Sequence, residues 1–229
     1  MARALRCPAT DRPLKSSSST IRTPAKLNLG LEVVGRRPGG YHEIRTIFQA
    51  VGIHDDLSFS PGGPFEYQTD PALLRSVDLV RAPMERAARR HNWSGTVRLH
   101  KRIPLAAGLG GGSSDVALAL RLAALAAATE SEIPAATRIG ADVPFFLKGG
   151  TALASGVGEE LQVLPTPDIW FVVHVPRVAI AHKTRVLFGG LAEIDFSAGL
   201  EVEALGAALA RHPRSRRPSR PPGGSACAT

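Results

Sequence analysis

Between residues 25 and 34 the chain reads AKLNLGLEVV, and its apolar and polar positions alternate: Leu27, Leu29, Leu31 and Val33 against Lys26, Asn28, Gly30 and Glu32. A period of two predicts a β-strand with one buried face, and it sets Lys26 and Asn28 together on the other. The turn sequence Arg36-Arg37-Pro38-Gly39-Gly40 leads through Tyr41, His42 and Glu43 into a second apolar strand over 44–51. A third strand is predicted to begin at 55–59 and to close at Pro61-Gly62-Gly63-Pro64. Residues 79–90 have helical composition, with Pro83 either in the first turn or breaking the helix. Residues 97–103 alternate as a strand and run into the glycine-rich stretch 104–114, PLAAGLGGGSS, which an Ala/Leu helix over 115–128 follows. A short helix is predicted over 132–139, strands over 151–154 and 170–175, and a last helix over 197–210. Strands and helices mix without strict alternation, so the expected class is α+β rather than doubly wound α/β.

The two ends break this pattern. Residues 1–20 are polar, with the run SSSST, and from Pro213 the chain reads PRSRRPSRPPGGSACAT with no apolar periodicity. Neither stretch can build a core, and both are expected to be disordered. The ends also account for the charge. The formal net charge is +8, but Arg3, Arg6, Arg12 and Lys15 against Asp11 give +3 before residue 16. Five arginines after Glu203 give +5, and the 19 cations and 19 anions between cancel. A nucleic-acid-binding body would carry its basic patch within the fold, so no nucleic-acid partner is expected. The longest apolar run is interrupted by Arg121, and neither a membrane span nor a secretory signal is visible. Cys7 and Cys227 sit at opposite extremes and suggest neither a disulfide framework nor a metal site; a cytoplasmic setting is the expectation.

Candidate chemistry centres on Pro104, Leu105, Ala106, Ala107, Gly108, Leu109, Gly110, Gly111, Gly112, Ser113 and Ser114. A glycine turn feeding the first turn of a helix aims free backbone N–H groups, with the positive end of the helix dipole behind them, at one spot. Such a turn can cradle a phosphate, and Ser113 and Ser114 can cap the helix, bind phosphate oxygens or ligate magnesium. A plain tight turn is the competing reading. A Walker A loop would need Lys where Ser113 stands. A dinucleotide fingerprint would need an acidic residue about 20 positions on, after a strand, whereas Glu130 and Glu132 lie in a loop. Both familiar phosphate loops are therefore disfavoured.

Four stretches taken together, Pro24-Ala-Lys26-Leu-Asn28-Leu, Gly40-Tyr41-His42-Glu43, PLAAGLGGGSSD and Gly140-Ala-Asp142-Val-Pro-Phe-Phe, resemble the GHMP small-molecule kinases in motif order and spacing, from about residue 23 to 186. Within that family the chain looks most like the branch that phosphorylates a cytidylated methylerythritol. The resemblance implies a ribosomal protein S5 domain 2-like N-terminal ATP-binding domain over 21–165 and a partial C-terminal domain over 166–212. It implies ATP and Mg2+ as cofactors and a small cytidylated polyol as the partner, and leaves monomer and homodimer both open. Asp142 becomes the candidate base, against the reading of an ordinary turn Asp. Lys26 would hold Asp142 ionised and offset charge on the phosphate, against the reading of a solvated strand lysine. Tyr41 and His42 would meet the cytosine, Asn28 the methylerythritol, and Lys101 the nucleotide. Phe188 matches a second cytosine-stacking aromatic, and a core Phe is an equal reading.

The chain departs from the family in one large respect. The family's third glycine motif, of Met-Ser-Gly-Ser-Gly type, has no counterpart after Gly190, and the Pro/Arg ending looks like a truncation or a change of reading frame. Three readings follow: an active kinase of that branch, a kinase of a different polyol, or a nucleotide-binding remnant. Asp78, where many relatives carry Asn near the adenine, is not assigned a nucleotide contact.

Overall fold

The computed structural model describes residues 2–3, 19–74, 78–127, 139–176 and 183–211. Its centre is the strand β3 (His42–Pro61), 20 residues long and flanked on one edge along its whole length by β2 (Ser19–Arg36). The two strands predicted at 44–51 and 55–59 are thus a single one: Gly52 and Ile53 form a bulge where the register shifts between Pro24 and Ala25, and pairing resumes with Pro24 opposite His54. The other edge of β3 is shared. β5 (Gly95–His100) pairs with residues 56–61 and β6 (Thr151–Ser155) with residues 46–49, both antiparallel. β4 (Glu66–Asp70) joins β5 in parallel, and β7 (Glu160–Leu164), which no periodicity announced, closes the far edge against β6. A separate pair links β1 (Ala2–Arg3) to β8 (Trp170–Phe171), inside the N-terminal segment expected to be without structure.

Helices α1 (Arg81–His91), α2 (Gly111–Ala127) and α3 (Val143–Lys148) cover one sheet face. Phe48, Ala50, Leu57, Phe59, Val97 and Leu99 meet Val80, Met84, residues 116–120, Val143, Phe145 and Phe146 there in one cluster. Pro83 falls in the first turn of α1, where its missing N–H costs nothing. The turn before that helix is tied by Asp78, whose Oδ1 accepts from Val80 N, Arg81 N and the Tyr67 hydroxyl. Asp78 is therefore spent on the entry of α1. The opposite sheet face carries two smaller clusters. Ala25, Val51, Ile103 and Leu109 pack with Leu27, Phe171 and Val173, and Ile47, Leu164 and Val202 pack with Leu29 and Leu205. The last of these docks α5 (Leu200–Arg211), preceded by α4 (Lys183–Gly189) and a 3₁₀ turn at Glu193–Asp195.

Strand β2 corrects one expectation. Its alternation predicted one buried face, that of Leu27, Leu29, Leu31 and Val33, yet Lys26 on the other face is 6% exposed while Leu31 is 47% exposed. Register shifts at Pro24/Ala25, Asn28/Gly30 and Val33/Gly35 interrupt the period, and the helical layer covers the face that carries Lys26. Most of the short helix predicted at 132–139, and the tail from 213, lie outside the described residues.

Candidate active site

The site forms where β2, the glycine loop and α3 converge. Lys26 N donates to Leu109 O at 2.9 Å, stitching the loop to the strand. The Lys26 side chain then runs beneath Gly110: a Cβ on that glycine would lie 2.9 Å from Lys26 Cγ and 2.9 Å from the Phe146 ring. Only a residue without a side chain allows this approach, and Gly110 also holds φ +71°. The ammonium ends 4.7 Å from the centroid of the Phe48 ring, donates to Asn28 Oδ1 at 2.7 Å and pairs with Asp142 Oδ2 at 3.3 Å. The Lys26 side chain is thus buried against a carboxylate rather than solvated.

Asp142 stands at the N-cap of α3, where an ordinary turn or cap Asp would bond the first N–H groups. It makes no side-chain cap bond, and 27% of its side chain remains open to solvent. Asn28 is held from both sides, accepting from Lys26 and donating to Thr46 Oγ1 at 2.8 Å, while Thr46 Oγ1 donates to Gly30 O at 2.6 Å. Thr46 is fully buried and went unnoticed in the sequence, because a threonine in an apolar strand carries no signal of its own.

Helix α2 starts at Gly111, four residues before the Ala/Leu run suggested, and Ser114 N already donates to Gly110 O. Positive φ at Ala106 (57°), Gly108 (80°) and Gly110 (71°) alternates with Ala107 and Leu109, which are outside the positive region. Alternating handedness of this kind turns successive N–H groups toward one concavity, a backbone nest for anions. A left-handed Ala106 is strain of the sort found in ligand-binding turns. Pro104, Leu105, Ala106 and Gly108 are exposed along its rim, whereas the Leu109 side chain is core. Gly112 lies against Leu79, and Ser113 Oγ lies against Gly140, where a Cβ would come within 3.0 Å. Ser114 is placed differently from expectation. It is 2% exposed, and its buried Oγ has no hydrogen-bond partner among the described residues, so it faces the core and not a phosphate.

Lys101 is also placed differently. Its side chain is 5% exposed, and Nζ donates to Asp55 Oδ2 at 2.5 Å and to Asp115 Oδ2 at 2.7 Å, leaving no open face for a nucleotide. Burial pushes the Asp115 carboxyl up to about 7; the Lys101 charge pulls against that and the Asp55 charge adds to it. Burial depresses the Lys101 ammonium, but the two carboxylates outweigh it and its pKa is raised. Asp55 and Asp115 were missed in the sequence. Asp55 reads there as the first residue of a strand and one of two adjacent acids, and Asp115 as the first residue of a helix.

The aromatic residues gather at the other end of β3. The His42 ring lies 5.3 Å from Phe188 and 6.1 Å from Phe196, the latter edge-on, and Arg36 reaches its Nε2 at 3.5 Å. Phe188 on α4 is thus drawn to His42, as the cytosine-stacking reading requires; Phe196 joins them unforeseen. Tyr41 is 69% exposed on the turn. Asn28 is opposite Phe48 and Arg36 opposite His42 in the β2–β3 ladder. At about 3.3 Å per residue, the reactive and aromatic ends are thus about 20 Å apart.

Among the described residues, no helix is long and apolar enough to cross a membrane, and no three His, Cys, Asp or Glu side chains gather to hold a metal.

Comparison with known proteins agrees with this geometry. Residues 78–150 match the family model of the GHMP kinases N terminal domain. The chain is 43% identical over 168 residues to a 4-diphosphocytidyl-2-C-methyl-D-erythritol kinase of Burkholderia thailandensis, covering 69% of this chain and 57% of that protein. It is 39% identical over 189 residues to the enzyme of the same name from Enterococcus faecalis, covering 75% and 64%. A crystal structure of 4-(cytidine 5'-diphospho)-2C-methyl-D-erythritol kinase superposes with a TM-score of 0.68 at 37% identity, covering 84% of this chain and 72% of that one. The chain spans 57% and 64% of the length of those two curated relatives. On this similarity and on the junction of loop, lysine and aspartate, the chain belongs to the GHMP kinase family, in the group of the 4-diphosphocytidyl-2-C-methyl-D-erythritol kinases.

Proposed function

We propose that the protein transfers the γ-phosphate of ATP to the 2-hydroxyl of 4-diphosphocytidyl-2-C-methyl-D-erythritol. The observation that carries this reading is the Lys26–Asp142 pair, 3.3 Å apart, on the floor of a glycine loop that opens onto a helix N-terminus. Phosphoryl transfer asks a protein mainly for positioning and charge compensation. The nest at 106–110 and the first turn of α2 supply N–H groups for the β- and γ-phosphates. Asp142 accepts the proton of the acceptor hydroxyl as its oxygen forms the new P–O bond and the bond to the ADP oxygen breaks. Lys26 orients Asp142 and offsets negative charge at the transferring group. Asn28, fixed by Lys26 and Thr46, presents its amide beside the polyol.

Magnesium fits as an ion carried on the phosphates, since Mg2+ keeps phosphate oxygens and waters in preference to an all-protein cage. It would neutralise charge between the β- and γ-phosphates. The cytosine would lie among His42, Phe188 and Phe196, and the separation of the two ends suits an extended nucleoside diphosphate linked to a short polyol.

The test is a substrate panel incubated with ATP and Mg2+, read by ³¹P NMR. The reading expects a new phosphomonoester on the 2-hydroxyl of the cytidylated substrate, and none on homoserine, mevalonate or galactose. Transfer to one of those instead would reassign the substrate. ATP binding without transfer to any would mark a nucleotide-binding member of the family.

A further inference from the structure

The mechanism leaves one cluster of buried charge without a task. Asp55 on β3, Lys101 just beyond β5 and Asp115 in the second turn of α2 form a continuous ionic bridge, and none of the three faces the open site. Asp55 Oδ1 also accepts from Arg102 N at 2.5 Å and Ile103 N at 2.7 Å, the last residues before the glycine loop. Asp115 Oδ1 accepts from Thr23 Oγ1 at 2.6 Å, on the strand that carries Lys26. The bridge therefore grips the loop on its entry side through Asp55 and on its exit side through Asp115. Lys101 spans the two, and its Nζ lies 3.3 Å from where a Cβ on Gly111 would sit.

Burying two carboxylates and an ammonium costs several kcal/mol of desolvation, and well-packed apolar residues would commonly do as well for stability alone. What ions supply and apolar groups do not is a fixed geometry between particular atoms. The loop between the grips, 104–110, is anchored at Leu109 and Gly110, but its entry, 104–108, is largely exposed and carries two left-handed residues, so its own packing does not set the distance between its two ends.

We propose that Asp55, Lys101 and Asp115 are positioning residues that set the separation of the two ends of the glycine loop, and through it the spacing of the N–H groups that hold the nucleotide phosphates. The inference rests on the nucleotide reading above. It predicts a selective defect: groups that meet phosphate lose affinity when the bridge is cut, and groups that meet the nucleoside do not.

The experiment compares ADP and adenosine binding by calorimetry for the wild type, Lys101→Arg and the double variant Lys101→Met/Asp115→Asn. The double variant removes the bridge without leaving two uncompensated carboxylates, which the single Lys101→Met would do. The expected result is an ADP affinity lowered on the order of tenfold, the equivalent of one good charge-assisted hydrogen bond. Adenosine affinity stays within about twofold on the same scale, and Lys101→Arg, whose guanidinium can span both carboxylates, recovers most of the ADP affinity. Equal losses for ADP and adenosine, or no loss for either, would overturn the proposal and leave the bridge a core feature. A wild type that binds neither ligand would instead overturn the nucleotide reading itself.

Discussion

A carboxylate at the start of a helix usually folds back onto the first N–H groups; Asp142 holds that position and leaves them alone. Its partner is Lys26, whose burial needs an anion close by, and the pair explains why an ammonium, which ordinarily seeks water, sits over the Phe48 ring. Removing the ammonium with Lys26→Met should lower kcat by about 10²- to 10³-fold, the range for a lost charge-stabilising donor, with the KM for the cytidylated substrate changed far less. Steady-state kinetics check this, and an unchanged kcat would move Lys26 out of the mechanism. At the other end, His42→Ala should raise the KM for the cytidylated substrate roughly tenfold, the worth of about one aromatic contact, and leave the KM for ATP as it was. At this scale the motifs pointed to residues that the fold brings together, Lys26 with Asn28 and Asp142, and His42 with Phe188. The sequence misled for Lys101. A lysine three residues before a glycine loop suits a charged contact near the nucleotide, and only the fold shows two carboxylates already closed around it.

Among elements, the glycine loop depends most on close approach. Gly110→Ala meets two penalties, a left-handed backbone and a Cβ 2.9 Å from both Lys26 and Phe146. Gly39, at φ +95°, meets only the first, since nothing lies within 4 Å of its Cβ. Gly39→Ala should therefore cost about 1 kcal/mol, and Gly110→Ala about 2–4 kcal/mol, measured by urea unfolding. Equal costs would mean that the loop is not packed on Lys26. The elements themselves were mostly legible, because amphipathic periods survive in β5, β6, α1 and α5. β3 is one strand where the sequence suggests two, because Gly52, a residue that favours turns, lies in a bulge that β2 bridges by pairing with Val51 on one side and His54 on the other. The start of α2 was set too late because glycines and serines are poor helix formers, and the packing of Gly111 and Gly112 against Ile103 and Leu79 overrides that preference. β7 was invisible because its residues are mostly exposed or half-buried and share no clean alternation.

For the whole molecule, the buried ionic bridge ties stability to pH. An Asp115 carboxyl raised to about 7 keeps a proton in the folded chain that the unfolded chain has released. Its contribution to stability is therefore complete below the unfolded value near 4 and is lost as pH rises toward 7. Urea midpoints for the wild type should accordingly fall between pH 5 and pH 8, and Asp115→Asn should flatten that slope; parallel slopes would contradict the assignment. The α+β class and the family were readable from four motifs in order. The sharing of one long strand between a reactive end and an aromatic end was not, because register belongs to the sheet and not to any segment of the chain. Ile169, Trp170, Val172, Val186, Leu187 and Ile194 are exposed in the described C-terminal part of the chain, where the family's third glycine motif has no counterpart in this sequence.

The central claim is that Asp142, steadied by Lys26 at the floor of the glycine loop, takes the proton from the acceptor hydroxyl. It is tested most directly by single-turnover transfer of the ATP γ-phosphate to 4-diphosphocytidyl-2-C-methyl-D-erythritol, with wild type and Asp142→Asn side by side. The account predicts transfer by the wild type and a rate about 10²- to 10⁴-fold lower in the variant, with ATP still bound. Equal rates in the two proteins would contradict it.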